Sequence, residues 1–145
     1  MRRRAFLAGA GAATAALAGC LGPGRSTDAE YDVGMSTSRF RPTEYAVAPG
    51  TTVRWYNTSQ SSHTVTAYAD GIPAEAAYFA SGGHDSEAAA REAWNSSRGG
   101  SLAPGDSYEH TFEVPGTYEY FCIPHEPAGM IGVVEVTEDA TRTPR

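Results

Sequence analysis

From residue 31 onward, apolar and polar positions mostly alternate, which is the period of strands. Within Thr51–Asn57, Val53 and Trp55 share one face, and Trp55 is expected in the core. Within Ser107–Val114 the shared face carries Tyr108, His110, Phe112 and Val114. After Gly116, Tyr118, Tyr120 and Cys122 alternate with Glu119 and Phe121, which puts Cys122 at a strand end on the tyrosine face. A further alternating stretch sets His63, Val65 and Ala67 against Thr64, Thr66 and Tyr68. Ile131–Thr137 sets Val133 and Glu135 opposite Val134 and Val136, and Tyr31–Ser36 and Thr43–Ala48 are additional candidate strands. Pro49-Gly50, Pro104-Gly105 and Pro115-Gly116 turn the chain at strand starts. Short regular strands punctuated this way predict an all-β sandwich.

One stretch breaks the pattern. Asp70 to Gly100 reads as an insertion, and its middle, Asp85–Asn95, is helical in character. Asp85 or Ser86 can cap it, Glu87 and Arg91 form an i,i+4 pair, and Ala88–Ala90 favour helix. Its Ala-rich, Trp94-bearing side is expected on the sandwich edge, without a catalytic role.

The first thirty residues read differently. Met1–Arg4 is a basic opening and Ala5–Gly19 a small-residue apolar run, too short for a comfortable membrane span, so residues 1–19 are predicted to be a signal peptide. Arg3-Arg4-Ala5-Phe6-Leu7 resembles a twin-arginine export motif, and Leu17-Ala18-Gly19-Cys20 resembles a lipobox. Cys20 would then be the lipidated first residue of the mature protein, with residues 20–30 as a flexible tether, residues 31–137 as the domain and residues 138–145 as a disordered tail. A single acyl chain holds a membrane only marginally, so firm anchoring calls for a second.

Composition narrows the function. The formal charge is −6, all 11 basic residues are Arg, and loss of the three leader arginines takes the body to −9. Such a surface repels nucleic acid and favours cationic partners or high salt. With Cys20 lipidated, Cys122 is the remaining cysteine of the two, so no structural disulfide is expected. A reactive thiol outside the cytoplasm needs an occupant, and a metal would serve. Asn57-Thr58-Ser59 and Asn95-Ser96-Ser97 match the glycosylation pattern, although turn asparagines give the same pattern.

The candidate chemistry gathers at Gly116 to Met130, GTYEYFCIPHEPAGM. His125 follows Cys122 after two residues and Met130 follows after four more, while Pro124, Pro127 and Gly129 bend the chain between them. One short loop can thus aim thiolate, imidazole and thioether at one point. That donor set suits copper cycling between two oxidation states, whereas zinc has little use for the Met. His63 is the best candidate for a second imidazole, and two His, one Cys and a long axial Met make a blue-copper site. A buried structural thiol, a core Met and a loop His are each common alone, but not together at this spacing. His84 reads as a loop histidine and His110 as one packed within its strand.

GTYEYFCIPHEPAGM resembles the copper loop of plastocyanin-type cupredoxins, most nearly that of the halocyanins, membrane-attached blue copper proteins of salt-loving archaea. The resemblance covers about Tyr31 to Thr137. It implies a cupredoxin-like Greek-key β-sandwich with a short helix inserted between the first His ligand and the Cys strand. It also implies one copper ion per chain, held by His63, Cys122, His125 and Met130. Two positions depart from the family pattern: Thr64 stands where Asn usually follows the first His, and Ile123 replaces a small polar residue after the Cys.

The resemblance further implies that His125 lies near an apolar end where electrons enter or leave, with Pro124, Pro127 and Ala128 forming that patch. It implies that Phe121, just before the Cys, is exposed beside an acidic face as a second exit. Glu109, Glu113 and Glu119 are expected to form an acidic patch on adjacent strands. The function expected is a one-electron carrier, not an enzyme. It would be monomeric, anchored by lipid on Cys20 to the outer face of the cell membrane, and would exchange electrons with membrane redox complexes or other electron-transfer proteins. Two alternatives are a copper domain of an oxidase or nitrite reductase and a copper storage or delivery protein. Four histidines without a His-x-His disfavour the first, and the second would show more Met or His around a more open site.

Overall fold

The computed structural model describes residues 30–140. The predicted leader, most of the tether with Cys20, and residues 141–145 of the predicted tail lie outside the described residues. Among those described, no helix is long and apolar enough to cross a membrane.

Among the described residues, eight strands form two four-stranded sheets. They are β1 (Val33–Met35), β2 (Phe40–Arg41), β3 (Glu44–Val47), β4 (Thr51–Asn57), β5 (Thr66–Ala67), β6 (Ser107–Phe112), β7 (Gly116–Phe121) and β8 (Ile131–Val136). The first sheet runs β2-β1-β4-β6 and the second β3-β8-β7-β5. β1 lies parallel to β4, with Val33 opposite Trp55, and β3 lies parallel to β8, with Tyr45 opposite Val134. The other pairs are antiparallel. The non-consecutive neighbours are the crossovers of a Greek-key sandwich, the topology that the resemblance implies.

The core is made where the two inner faces meet. Val53, Trp55 and Phe112 face Tyr118, Tyr120, Val134 and Val136. Trp55 is fully buried, with ring contacts to Tyr120 (5.3 Å), Tyr108 (5.7 Å) and Phe112 (6.2 Å). Aromatic pairs at these separations stabilise beyond the area they bury. Two of the three Pro-Gly turns fall where predicted, at Gly50 and Gly105, whose φ of 87° L-residues rarely adopt, whereas the chain only bends before Pro115-Gly116.

The stretch between β5 and β6 folds back over the second sheet. Ala67 N–H donates to Phe79 C=O (3.1 Å), and Ser81 N–H to Val65 C=O (2.7 Å). Phe79 enters the core. Residues 63–67 are therefore all buried, and the expected two-faced strand shortens to Thr66–Ala67. The helix α1 (Glu87–Ser97) begins and ends two residues later than the predicted Asp85–Asn95. Ser86 caps it by accepting from Ala89 N–H (3.0 Å), and Glu87 pairs with Arg91 (2.9 Å). Its buried residue is Ala90 rather than the Trp94 side, because Trp94 stays half-exposed beneath the Arg98 guanidinium.

The expected acidic patch does not form. β6 pairs with β4 in one sheet and β7 with β8 in the other, so Glu109 and Glu119 belong to different sheets.

Candidate metal centre

Four sequence-predicted residues converge at one end of the sandwich. β7 ends at Phe121 and delivers Cys122, fully buried, at its tip. The chain then makes a 3-10 turn over Ile123–Ala128 with Pro124 in its first turn. Gly129 closes it at φ 86°, a left-handed value that suits glycine. Backbone bonds hold the ends together: Cys122 N–H donates to Met130 C=O (3.1 Å), and Met130 N–H to His125 C=O (3.2 Å). Met130 is fully buried and belongs to the same apolar cluster as Cys122.

His63 comes from the other side of the fold. It bridges Leu102 through two backbone bonds of 3.0 and 2.7 Å. Its Nδ1 lies 3.5 Å from Cys122 Sγ, and His125 Nδ1 lies 3.4 Å from the same sulfur. The two imidazole centroids are 4.8 Å apart. The ligand atoms of His63, Cys122 and His125 all fall within 4.8 Å of one another.

These separations fit a shared cation. Bonds of about 2.3 Å to thiolate and about 2.0 Å to imidazole, at a tetrahedral angle, place sulfur and nitrogen about 3.5 Å apart. The donor set is soft sulfur plus imidazole, which suits copper.

The electrostatics favour the same use. Burial, with neighbouring His125 adding to it, pushes the His63 imidazole down to about 4, so at neutral pH its lone pair is free to bind. Its Nε2 sits 3.0 Å from Ser59 Oγ, which fixes the ring with Nδ1 toward the sulfur. Burial pushes the Cys122 thiol up, partly offset by hydrogen bonds from Thr64 and His125. A thiol in that state needs a cation to displace its proton.

Thr64, the departure from the family pattern, has a defined place. Its N–H donates to Cys122 Sγ (3.4 Å), while its Oγ1 accepts from Ile123 N–H (2.9 Å) and contacts Thr66 Oγ1 (3.0 Å). The residue thus ties the His63 segment to the Cys122 turn through both backbone and side chain.

The candidate exchange surface divides. His125 and Pro124 are half-exposed, and Pro127 and Ala128 are exposed at the same end. Phe121 is not exposed: its accessibility is 0 %. Tyr68 stacks on it at 4.3 Å and the Arg91 guanidinium lies over it at 4.4 Å. The expected second exit is therefore covered by Tyr68 and Arg91. Among the other candidates, Asn57 is buried and spends its Nδ2 on Ser61 and Leu102 carbonyls (2.6 and 2.9 Å), so the folded chain offers no acceptor there. His110 stacks on Phe79 at 4.5 Å, as a packed histidine.

Comparison with known proteins agrees with this geometry. A family model described as "Copper binding proteins, plastocyanin/azurin family" matches residues 27–137. Plastocyanin from Scenedesmus fuscus is 34% identical over 97 residues, covering 67% of this chain and 85% of that protein. A chloroplastic plastocyanin from Physcomitrium patens is 35% identical over 98 residues, covering 68% of this chain but 50% of the moss protein. Among solved structures, amicyanin from Paracoccus versutus superposes with a TM-score of 0.51 at 28% identity, covering 72% of this chain and 78% of that one. A purple cupredoxin from Nitrosopumilus maritimus superposes at 0.50 with 23% identity over 73% of this chain and all of that one, and supports the fold alone.

Proposed function

Because the chain belongs to the plastocyanin/azurin family of copper binding proteins, we propose that His63, Cys122, His125 and Met130 hold one copper ion in a membrane-tethered electron carrier. The observation that carries this reading is the single sulfur standing 3.4–3.5 Å from two imidazole nitrogens of separate chain segments. Bound copper supplies one-electron exchange between its two oxidation states. Cys122 would give the strongest donor, His63 and His125 would add two imidazole donors, and Met130 would add a weak thioether donor. Four protein donors leave no position for a substrate, which favours carriage of electrons over catalysis.

Each chain residue has a distinct task. Thr64 N–H donates to the sulfur, and Ser59 holds the His63 ring. The half-exposed His125, flanked by Pro124, Pro127 and Ala128, offers the short way to a partner. With Phe121 covered, this end is the exchange surface we favour. The partners would be membrane redox complexes or other electron-transfer proteins, met by a monomer. Export through the residue 1–19 leader and acylation of Cys20 would tether the domain to the outer face of the membrane, as in halocyanins.

Addition of Cu(II) to the metal-free domain should give a strong blue thiolate-to-copper absorption that titrates reversibly with one electron. Colour surviving in Cys122→Ser would remove the site assignment. Cys20→Ala in the full chain should move the protein from the membrane fraction to the soluble one. Unchanged fractionation would reject the lipid tether.

A further inference from the structure

The insertion between β5 and β6 places a cation against the turn that carries His125. Arg91, midway along α1, forks onto Glu126, with Nη1 to Oε1 at 2.9 Å and Nη2 to Oε2 at 3.2 Å. Its Nε reaches Glu87 Oε2 at 2.9 Å. Tyr68 O–H donates to Glu126 Oε2 at 2.7 Å, and Glu87 Oε1 accepts from Ala69 N–H at 2.8 Å. Tyr68 and Arg91 both rest on Phe121. One assembly thus joins α1, the chain after β5, the tip of β7 and the 123–128 turn.

The turn has little else to hold it from that side. None of its residues is buried, so core packing does not fix it. Glu126 lies between His125 and Pro127, and a forked guanidinium–carboxylate pair constrains orientation as well as distance. The three charged side chains are only partly exposed, at 35% for Arg91, 29% for Glu126 and 23% for Glu87. Their attraction is therefore screened less than that of a free surface pair.

We propose that Arg91 is a positioning residue for the metal loop: it holds Glu126, and through it the His125 turn, while balancing two carboxylates beside the copper. This rests on the copper reading above for its redox consequence but not for its structural one. The inserted helix then belongs to the site rather than merely decorating the fold.

The structural arm of the test uses metal-free protein. In Arg91→Met, amide exchange at Gly129 and Met130, whose N–H groups close the turn, should quicken about tenfold while β4 and β6 amides keep their rates. The redox arm uses the copper-loaded protein. Loss of the cation leaves two carboxylates unbalanced and should favour the oxidised form about fivefold to tenfold, tenfold being about 59 mV for one electron. Glu126→Gln cuts the same tie from the other side: it should loosen the turn alike but shift the oxidation balance the opposite way. Arg91→Lys should recover the balance more than the exchange rates, since a point charge replaces a fork. Unchanged exchange in both Arg91→Met and Glu126→Gln would overturn the positioning role, even if copper binds as proposed. Equal shifts of one sign in both variants would overturn the charge-balancing role. If Arg91→Met does not fold, Glu126→Gln alone decides on the same two readings.

Discussion

Thr64→Val separates the side-chain tie at the metal end from the backbone tie. Valine keeps the shape of threonine and the Thr64 N–H that points at Cys122 Sγ, but removes Oγ1. Two partners lose by it: Ile123 N–H, bonded at 2.9 Å, and the Thr66 hydroxyl at 3.0 Å. Thr64 and Thr66 are both buried and the bond to Ile123 N–H is partly buried, so water is poorly placed to replace the lost oxygen. A buried donor left unsatisfied costs about 1–3 kcal/mol. The Thr66 hydroxyl can rotate toward another acceptor and should add less. A loss of about 2 kcal/mol is expected, read as a fall of about 1 M in the urea midpoint with unchanged slope. The metal-free protein should show it fully. The blue absorption should persist, because the groups facing the cation are untouched. A loss below about 0.5 kcal/mol would refute the reasoning, since it would mean that Ile123 N–H finds another partner at once. Loss of the colour with stability intact would refute it from the other side.

Other expectations follow from packing and titration. Gly132→Ala should be strongly destabilising, by about 1–3 kcal/mol, because a Cβ there would stand 2.5 Å from the Tyr120 ring and hydroxyl. Thermal unfolding near that of the parent would show that β8 can shift at no cost. Burial holds the His110 imidazole below its ordinary value, so the unfolded chain binds its proton first as pH falls below about 6.5. The stability His110 contributes is therefore complete above that pH and lost as pH drops toward its folded value. His110→Gln should accordingly flatten the acid limb of denaturation midpoints measured on metal-free protein, and an unchanged limb would contradict the shift.

The metal-binding residues were legible because three of them are crowded into nine positions with helix-breaking residues between them. Strand β4 was legible to the residue, since Val53 and Trp55 alternate cleanly with polar neighbours and a Pro-Gly turn marks its start. The stretch after His63 was not, because its alternation of Thr and apolar residues describes one exposed face, whereas the 70–100 segment folds back and buries both. No local pattern announces that return. The burial of Phe121 was not legible for the same reason: its cover comes from Tyr68 and Arg91, distant in the chain and without a local signal. The Glu109–Glu119 patch failed on topology, since consecutive strands β6 and β7 joined by a short connection invite pairing, yet the chain crosses between sheets there. The 3-10 turn at Ile123–Ala128 is legible only as a bend, because two prolines in six residues signal a break in regular structure without specifying its form.

His63 and Cys122 stand 59 positions apart in the chain, with the exposed end of α1 between them. An ion bound to both closes that loop much as a covalent bridge would, by restricting the conformations open to the unfolded polymer. A chain nicked at Arg98 would then keep its two pieces together for as long as the ion stays bound. A chelator would let them part in milder denaturant, so the electron carrier's own cofactor also serves as a removable staple.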